Sequence, residues 1–184
     1  MDSSAWPNLP TPKPTRSGLL AVNGVELYYE LHGSEEAPPL LFLLGITDEC
    51  GAHMAKSVIN ALKSRFYLLI FDHRGTGRST LDTTPSHYSM RQFAKDAAAL
   101  VGKVGWKTCH VFGHSFGGCV AQEVALLSPR ILKDRTLVVA CAPAGGGGIP
   151  TSIDLDLYRT TFRAVMAVDS RNACCSNVRR RRCT

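Results

Sequence analysis

The sequence predicts an α/β protein whose mostly parallel sheet is covered by helices on both faces. Short apolar runs alternate with amphipathic helical stretches between residues 18 and 145, which is the pattern of strand–helix–strand units. An Asn-Gly pair between two apolar runs predicts a hairpin before them. The motif G-x-S-x-G at 113–117 lies between a predicted strand and a predicted helix, where a serine becomes exposed above the sheet.

The first half of the chain supplies the hairpin and the first buried strands. Asn23-Gly24 separates the apolar runs 19–22 and 25–30. The run 40–44 is continuously apolar, as expected for a parallel strand buried on both faces. Residues 55–65 are expected to form a helix with one apolar face, and 66–71 the next buried strand.

The second half repeats the alternation. Ser89-Met90-Arg91-Gln92 is a capping box that predicts a helix running to about Val104. A strand over 107–112, a helix over 118–127 and a strand over 136–141 follow. Ligands of such sheets bind at the carboxyl ends of the strands. Residues of three predicted strand ends are therefore candidates for a site, namely Gly45, Asp72 and Ser115.

Composition excludes several classes of function. The net charge is +6, but Arg171 and the run 179–182 carry five of the positive charges, and the segment 171–184 contains no acidic residue. The rest of the chain is nearly neutral, which argues against nucleic acid as a partner. Neither an N-terminal apolar targeting segment nor an apolar stretch of membrane-spanning length is present. We therefore expect a cytoplasmic protein without a membrane span.

The cysteines predict neither a metal site nor a disulfide framework. Seven cysteines are present without any C-x-x-C pair or zinc-ligand spacing. Cys109, Cys119 and Cys141 lie in apolar contexts and are expected to be buried reduced thiols, whereas Cys50 could be exposed in a loop. We predict no cofactor and no metal.

Ser115 is the predicted catalytic residue. A sharp strand-to-helix turn places its hydroxyl above the sheet and at the positive end of a helix dipole. Such a turn needs small residues two positions before and two after the serine, and Gly113 and Gly117 stand there. A serine hydroxyl also needs a base, yet no histidine follows His114. We do not expect His114 to be that base, because adjacent residues on a sharp turn point apart.

These motifs resemble the α/β-hydrolase superfamily, in its esterase, lipase and lactonase-like branch. The resemblance covers roughly residues 18–145. It rests on the strand-to-helix turn at 113–118, which is called a nucleophile elbow in that superfamily. It also rests on the segment Asp72-His73-Arg74-Gly75-Thr76-Gly77-Arg78-Ser79 and on Leu43-Leu44-Gly45-Ile46 at the end of the third predicted strand.

The resemblance implies roles for several residues. The backbone N–H groups of Phe116 and Ile46 would form the oxyanion hole. Asp72 and Arg74 would brace the loop 72–79, in which His73 would be a residue without a catalytic role. A dinucleotide-loop reading of Gly75-Thr76-Gly77 is disfavoured, because Thr80 stands where a third glycine belongs.

The implied function is attack by Ser115 on an ester, lactone or similar acyl bond of a small-molecule substrate, without a cofactor. Two alternatives remain open. One is a non-catalytic binding module on the same fold, and the other is a cofactor-free lyase or oxygenase. No triad acid is assigned. Some members of the superfamily carry the acid directly after the sixth strand, but no acidic residue follows the predicted strand 136–141 at that point.

The expected organisation has four segments. Residues 1–17 form a disordered proline-rich leader, 18–145 the hydrolase core, 146–170 the start of a lid region, and 171–184 a basic, disordered tail. The resemblance implies eight strands, of which this sequence supplies about six. We therefore interpret the chain as lacking the last two strands through truncation or mis-splicing. The open sheet edge at 136–141 would then permit self-association.

Overall fold

The computed structural model describes residues 10–142, apart from residues 47, 52, 85 and 86. The predicted lid start (146–170) and basic tail (171–184), together with most of the predicted leader, lie outside the described residues.

Six strands, three α-helices and one short 3-10 helix follow one another along the described chain. In order they are β1 (Arg16–Val22), β2 (Val25–His32), β3 (Pro39–Leu43), α1 (His53–Leu62), β4 (Tyr67–Phe71), α2 (Met90–Lys103), β5 (His110–His114), α3 (Phe116–Leu127), the 3-10 helix (Pro129–Leu132) and β6 (Leu137–Ala140). β1 begins two residues before the start predicted for the core, and the 3-10 helix had no counterpart among the predicted elements.

All six strands form one sheet in the order β1-β2-β4-β3-β5-β6. β2 pairs antiparallel with β1 and β4, whereas β3 pairs parallel with β4 and β5, and β5 with β6. The mostly parallel α/β sheet predicted from the sequence is therefore confirmed. The carboxyl ends of β3, β4 and β5 meet at one edge, which brings the predicted site residues to the same side.

The hairpin turn takes the form that the sequence predicts, whereas only the Ser89 half of the predicted capping box forms. Asn23 and Gly24 have φ angles of 44° and 82°, the left-handed values of a tight hairpin turn. Ser89 accepts a hydrogen bond from the Gln92 backbone N–H at 3.2 Å and so caps α2. The Gln92 amide donates to Asp96 at 3.1 Å, so the Gln92 side chain is engaged further along α2.

The strand before the motif differs from its predicted range. β5 begins at His110 rather than at residue 107, and it continues through Gly113 to His114. Its register places His110 beside Leu40 and Gly113 beside Leu43. The strand thus extends into the G-x-S-x-G motif and ends one residue before the serine.

Two apolar clusters lie on opposite faces of the sheet. The larger joins alternate residues of the strands, such as Leu41 and Leu43, to the buried faces of α2 and α3. The smaller joins Leu40, Phe42 and Ile70 to α1. Alternation along β3 therefore sends successive side chains into different clusters, which fixes the register of the central strand.

β6 is the last strand of the sheet among the described residues. Its side chains are more exposed than those of the inner strands, at 37% for Leu137, 46% for Val138 and 38% for Val139. None of the helices that the structure describes is long and apolar enough to cross a bilayer.

Candidate active site

Ser115 occupies the turn between β5 and α3 in a strained backbone conformation. Its φ and ψ angles are 54° and −121°, a region that residues with a side chain rarely adopt. The Ser115 N–H donates to the Ala140 carbonyl at 2.8 Å, which ties the turn to the end of β6. The half-buried serine therefore stands between the strand end and the first turn of α3.

Gly113 and Gly117 permit this turn because no side chain fits at either position. A Cβ on Gly113 would meet the Gly117 carbonyl, and a Cβ on Gly117 would meet the Leu43 carbonyl. Both obstacles are backbone atoms, which cannot move aside as a flexible side chain can. The first turn of α3 is thus packed directly against the end of β3.

The two predicted oxyanion donors lie in the same region. Phe116 is the first residue of α3, so its backbone N–H has no acceptor within the helix. Ile46 follows β3 and packs against the apolar cluster that contains Phe116. The structure brings the loop of Ile46 and the helix start of Phe116 together, and their assignment as oxyanion donors stays a prediction.

His73 lies between these two segments rather than in an outlying loop. It is 1% exposed, and its Nε2 lies 3.2 Å from the Leu44 carbonyl. Burial lowers the pKa of His73 from 6.5 to about 4. The hydrogen bond with Leu44 and the nearby carboxylates of Asp96 and Asp72 act in the opposite direction and raise the pKa, but their effect is smaller. The ring is therefore neutral at physiological pH.

The segment 72–79 is held by buried charges. The Asp72 carboxylate accepts from the Cys50 N–H at 2.8 Å and from the Arg78 N–H at 3.0 Å. The fully buried Arg74 guanidinium donates to both carboxylate oxygens of Asp96, at 2.5 and 2.8 Å. Asp72 and Arg74 thus brace the loop, Asp72 against the loop after β3 and Arg74 against α2.

Asp48 and His114 both approach Gly45, the second residue after β3. Asp48 Oδ2 and His114 Nδ1 lie 2.9 and 3.8 Å from the point that a Cβ on Gly45 would occupy. Burial raises the pKa of Asp48. The electrostatic attraction of His114 and a hydrogen bond with the Gly45 backbone lower it by less. His114 Nδ1 is buried and has no hydrogen-bond partner in the part of the chain that the structure describes.

Two of the cysteine expectations are wrong, and the other two are confirmed. Cys50 is buried, 3% exposed, because the loop after β3 folds back onto Asp72, and Cys141 is exposed because β6 ends at Ala140. Cys109 and Cys119 are buried. All four are free thiols. Among the described residues, no cluster of three or more histidine, cysteine, aspartate or glutamate side chains could hold a metal ion.

Sequence reasoning missed the positions of His73 and Asp48. Both follow a strand carboxyl end, His73 after β4 and Asp48 after β3, which is a signal that they could approach a site. The sequence pattern does not say whether a loop side chain turns into the sheet edge or out to solvent.

Comparison with known proteins agrees with this architecture. A family model described as the alpha/beta hydrolase fold matches residues 38–180. The match contains Ser115 and the segments 43–46 and 72–79. It continues beyond residue 145, where the resemblance of the motifs was expected to end.

Individual relatives are longer than this chain. A protein named "Putative carbamate hydrolase RutD" from Azorhizobium caulinodans is 36% identical over 121 residues, which are 66% of this chain and 43% of that protein. A hydrolase structure from Pseudomonas aeruginosa PA01 superposes with a TM-score of 0.62 at 31% identity. The match covers 71% of this chain and 47% of the P. aeruginosa chain. An epoxide hydrolase from Vigna radiata shares the fold, with a TM-score of 0.59 at 24% identity. The match covers 66% of this chain and 37% of the V. radiata chain. The chain thus spans less than half the length of these proteins.

Proposed function

Because this chain belongs to the α/β-hydrolase fold family, we propose that Ser115 is the nucleophile of a hydrolytic site for carbonyl compounds. The observation that carries the proposal is the backbone of Ser115, held at a φ of 54° directly before α3. That conformation is costly for a residue with a side chain. It is the geometry that exposes a nucleophile at the start of a helix.

The chemistry assigned to the site is acyl transfer. The Ser115 oxygen would attack the carbonyl carbon, and its proton would pass to a base. The carbonyl oxygen would become an oxyanion that accepts hydrogen bonds from the N–H groups of Phe116 and Ile46. The leaving alcohol or amine would depart with a proton, and water would then cleave the acyl-serine ester.

The substrate class in this proposal is a small ester, lactone or carbamate. All three present a carbonyl carbon that becomes tetrahedral when the serine attacks, so one oxyanion hole could serve each of them. The ester or lactone follows from the resemblance of the motifs, and the carbamate from the name of the RutD relatives.

The proposal assigns the nucleophile and the two donors, and it assigns no acid or base. Among the described histidines, His73 is bound to the Leu44 carbonyl and His114 faces Asp48 and Gly45. No histidine stands between residues 115 and 184. For the 184-residue chain we therefore expect slow covalent reaction with an activated probe, rather than rapid ester turnover.

A fluorophosphonate probe tests the proposal directly. In this reaction the serine oxygen forms a bond to phosphorus, fluoride leaves, and the serine proton passes to a base or to water. We expect the wild-type chain to carry the phosphonyl group on Ser115, located by peptide mass spectrometry, and Ser115→Ala to lose it.

Ser128→Ala is the matched control, because Ser128 stands at the opposite end of the same helix. It should be labelled like the wild type. Preferential labelling of another serine in the wild type, or unchanged labelling of Ser115→Ala, would contradict the proposal.

A cytoplasmic location is part of the same proposal. The four described cysteines are free, and free thiols persist in reducing compartments.

A further inference from the structure

His73 is enclosed by three aromatic rings. The centroids of Phe71, Phe93 and Phe116 lie 4.9, 5.6 and 5.3 Å from that of the imidazole. All three rings meet it at steep angles, between 72° and 90°. One of these rings belongs to Phe116, whose backbone N–H is a proposed oxyanion donor, so His73 touches the residue on one side of the oxyanion hole.

The polar contact of His73 reaches the other side. Its Nε2 lies 3.2 Å from the Leu44 carbonyl, which can only accept, so Nε2 carries the hydrogen. Leu44 is two residues before Ile46, the second proposed donor. The same carbonyl also faces Gly117, because a Cβ on Gly117 would collide with it. The Leu44 carbonyl is thus fixed between His73 and the start of α3.

We propose that His73 is a positioning residue that holds the loop of Ile46 and the start of α3 in mutual register, and so sets the spacing of the two oxyanion donors. The inference rests on the proposed function for the role of those donors. It adds a residue that acts through the Leu44 carbonyl and the Phe116 ring, without touching the substrate.

A purely packing role explains the imidazole poorly. With Nε2 protonated, Nδ1 is an acceptor, and it is buried without a hydrogen-bond partner among the described residues. An unsatisfied buried acceptor costs free energy that an apolar side chain would not. Leucine removes the unsatisfied Nδ1 but leaves the buried Leu44 carbonyl without its donor, so the two effects on stability oppose each other.

The test compares the full-length wild-type chain with three variants. His73→Leu removes the hydrogen bond, and His73→Gln keeps a side-chain N–H that can reach Leu44. Ile70→Val is the control, because it shortens a fully buried side chain of β4 that lies in the apolar cluster on the opposite face of the sheet from Phe93 and Phe116. Three quantities are measured: the melting temperature, the exchange rates of the Ile46 and Phe116 amide hydrogens by ¹⁵N NMR, and the kinact and KI of fluorophosphonate labelling.

For His73→Leu we expect a melting temperature close to that of the wild type, because the two opposing effects on stability offset each other, and amide exchange at Ile46 that is about tenfold faster. We also expect kinact to fall about tenfold or more with KI nearly unchanged, since small misplacements of catalytic groups carry large rate costs. His73→Gln should recover most of the amide protection and of kinact, and Ile70→Val should change neither.

The amide measurement decides the inference even if labelling fails. If the amide exchange and chemical shifts of Ile46 and Phe116 are unaltered in His73→Leu, the positioning role is overturned. Unfolding of His73→Leu would also overturn it, because His73 would then be a packing residue. If the wild type is labelled away from Ser115, the proposed function fails, whereas faster Ile46 exchange in His73→Leu with recovery in His73→Gln would still support the coupling.

Discussion

At the scale of single residues, the backbone of Ser115 shows how a local strain is maintained. Its positive φ costs on the order of 1–3 kcal/mol. It persists because Gly113 and Gly117 remove the Cβ atoms that would collide there, and because the Ser115 N–H is bound to Ala140. Three neighbouring elements therefore determine the conformation of one residue.

The neutral state of His73 predicts how stability depends on pH. Burial holds the pKa of His73 in the folded chain at about 4, below its ordinary value of 6.5, so between these values the unfolded chain binds the proton more readily. Stability should therefore fall as pH decreases through this window, and be fully present above it. Between pH 7 and 4.5 the loss from this group is roughly 2 kcal/mol.

Urea unfolding of the wild type and His73→Leu at a series of pH values measures this contribution. Other groups whose pKa is lowered by folding, such as Glu30 and Asp82, are common to both chains and cancel in the difference. We expect the wild type to lose more stability than His73→Leu as the pH falls. Parallel curves for the two chains would show that His73 is not held neutral.

At the scale of elements, the contact between α3 and β3 controls the geometry of the turn. A Cβ on Gly117 would press on the backbone carbonyls at the end of β3. We expect Gly117→Ala to force these elements apart, with a loss of about 1–3 kcal/mol, and to slow labelling of Ser115.

Gly102→Ala serves as the control, because this exposed glycine of α2 has open space around its Cβ position. Alanine should stabilise that helix by roughly 0.5–1 kcal/mol. Thermal unfolding and probe kinetics distinguish the two variants. A Gly117→Ala chain that matches the wild type in both would show that the close approach of α3 to β3 is not required.

Periodicity and turn chemistry made most of the elements predictable. The apolar run at 40–44 and the Asn-Gly turn specify structure locally, so β3 lies within one residue of its predicted position and the turn stands where it was predicted, whereas β1 begins three residues before the predicted apolar run. The start of β5 was placed three residues early, because the pairing of His110 with Leu40, rather than apolar character, sets where a strand begins. The 3-10 helix at Pro129–Leu132 has no periodic pattern to reveal it.

The candidate site was predictable only in part, for a similar reason. A sharp turn with a serine between two glycines is a local motif, and it indicated Ser115 and the adjacent Phe116. The contacts of His73 with Phe93 and Phe116 join residues far apart in the chain. No pattern within residues 72–79 encodes those contacts.

At the scale of the whole molecule, β6 predicts self-association, because it is an edge strand of the sheet that the described residues form. Leu137, Val138 and Val139 are exposed and carry no charge that would oppose pairing with another strand. We expect the 184-residue chain to associate through this edge, and Val138→Lys to weaken the association, because a charged edge residue resists strand pairing.

Size-exclusion chromatography with light scattering at equal concentrations provides the measurement. Leu81→Lys is the control, since Leu81 is 45% exposed and follows Thr80, which is bonded to Glu26 of β2 near the opposite side of the sheet. It should leave the association unchanged. A wild-type chain with the mass of a single copy at all concentrations would contradict this prediction.

The central claim is that Ser115 is a nucleophile served by an oxyanion hole, and the structure of its phosphonyl adduct tests it most directly. In a crystal structure of the fluorophosphonate-treated chain, we expect phosphorus bonded to the Ser115 oxygen. One phosphonyl oxygen should lie about 2.7–3.1 Å from the backbone nitrogens of both Phe116 and Ile46. An adduct on a different serine, or an oxygen directed away from both nitrogens, would contradict the claim.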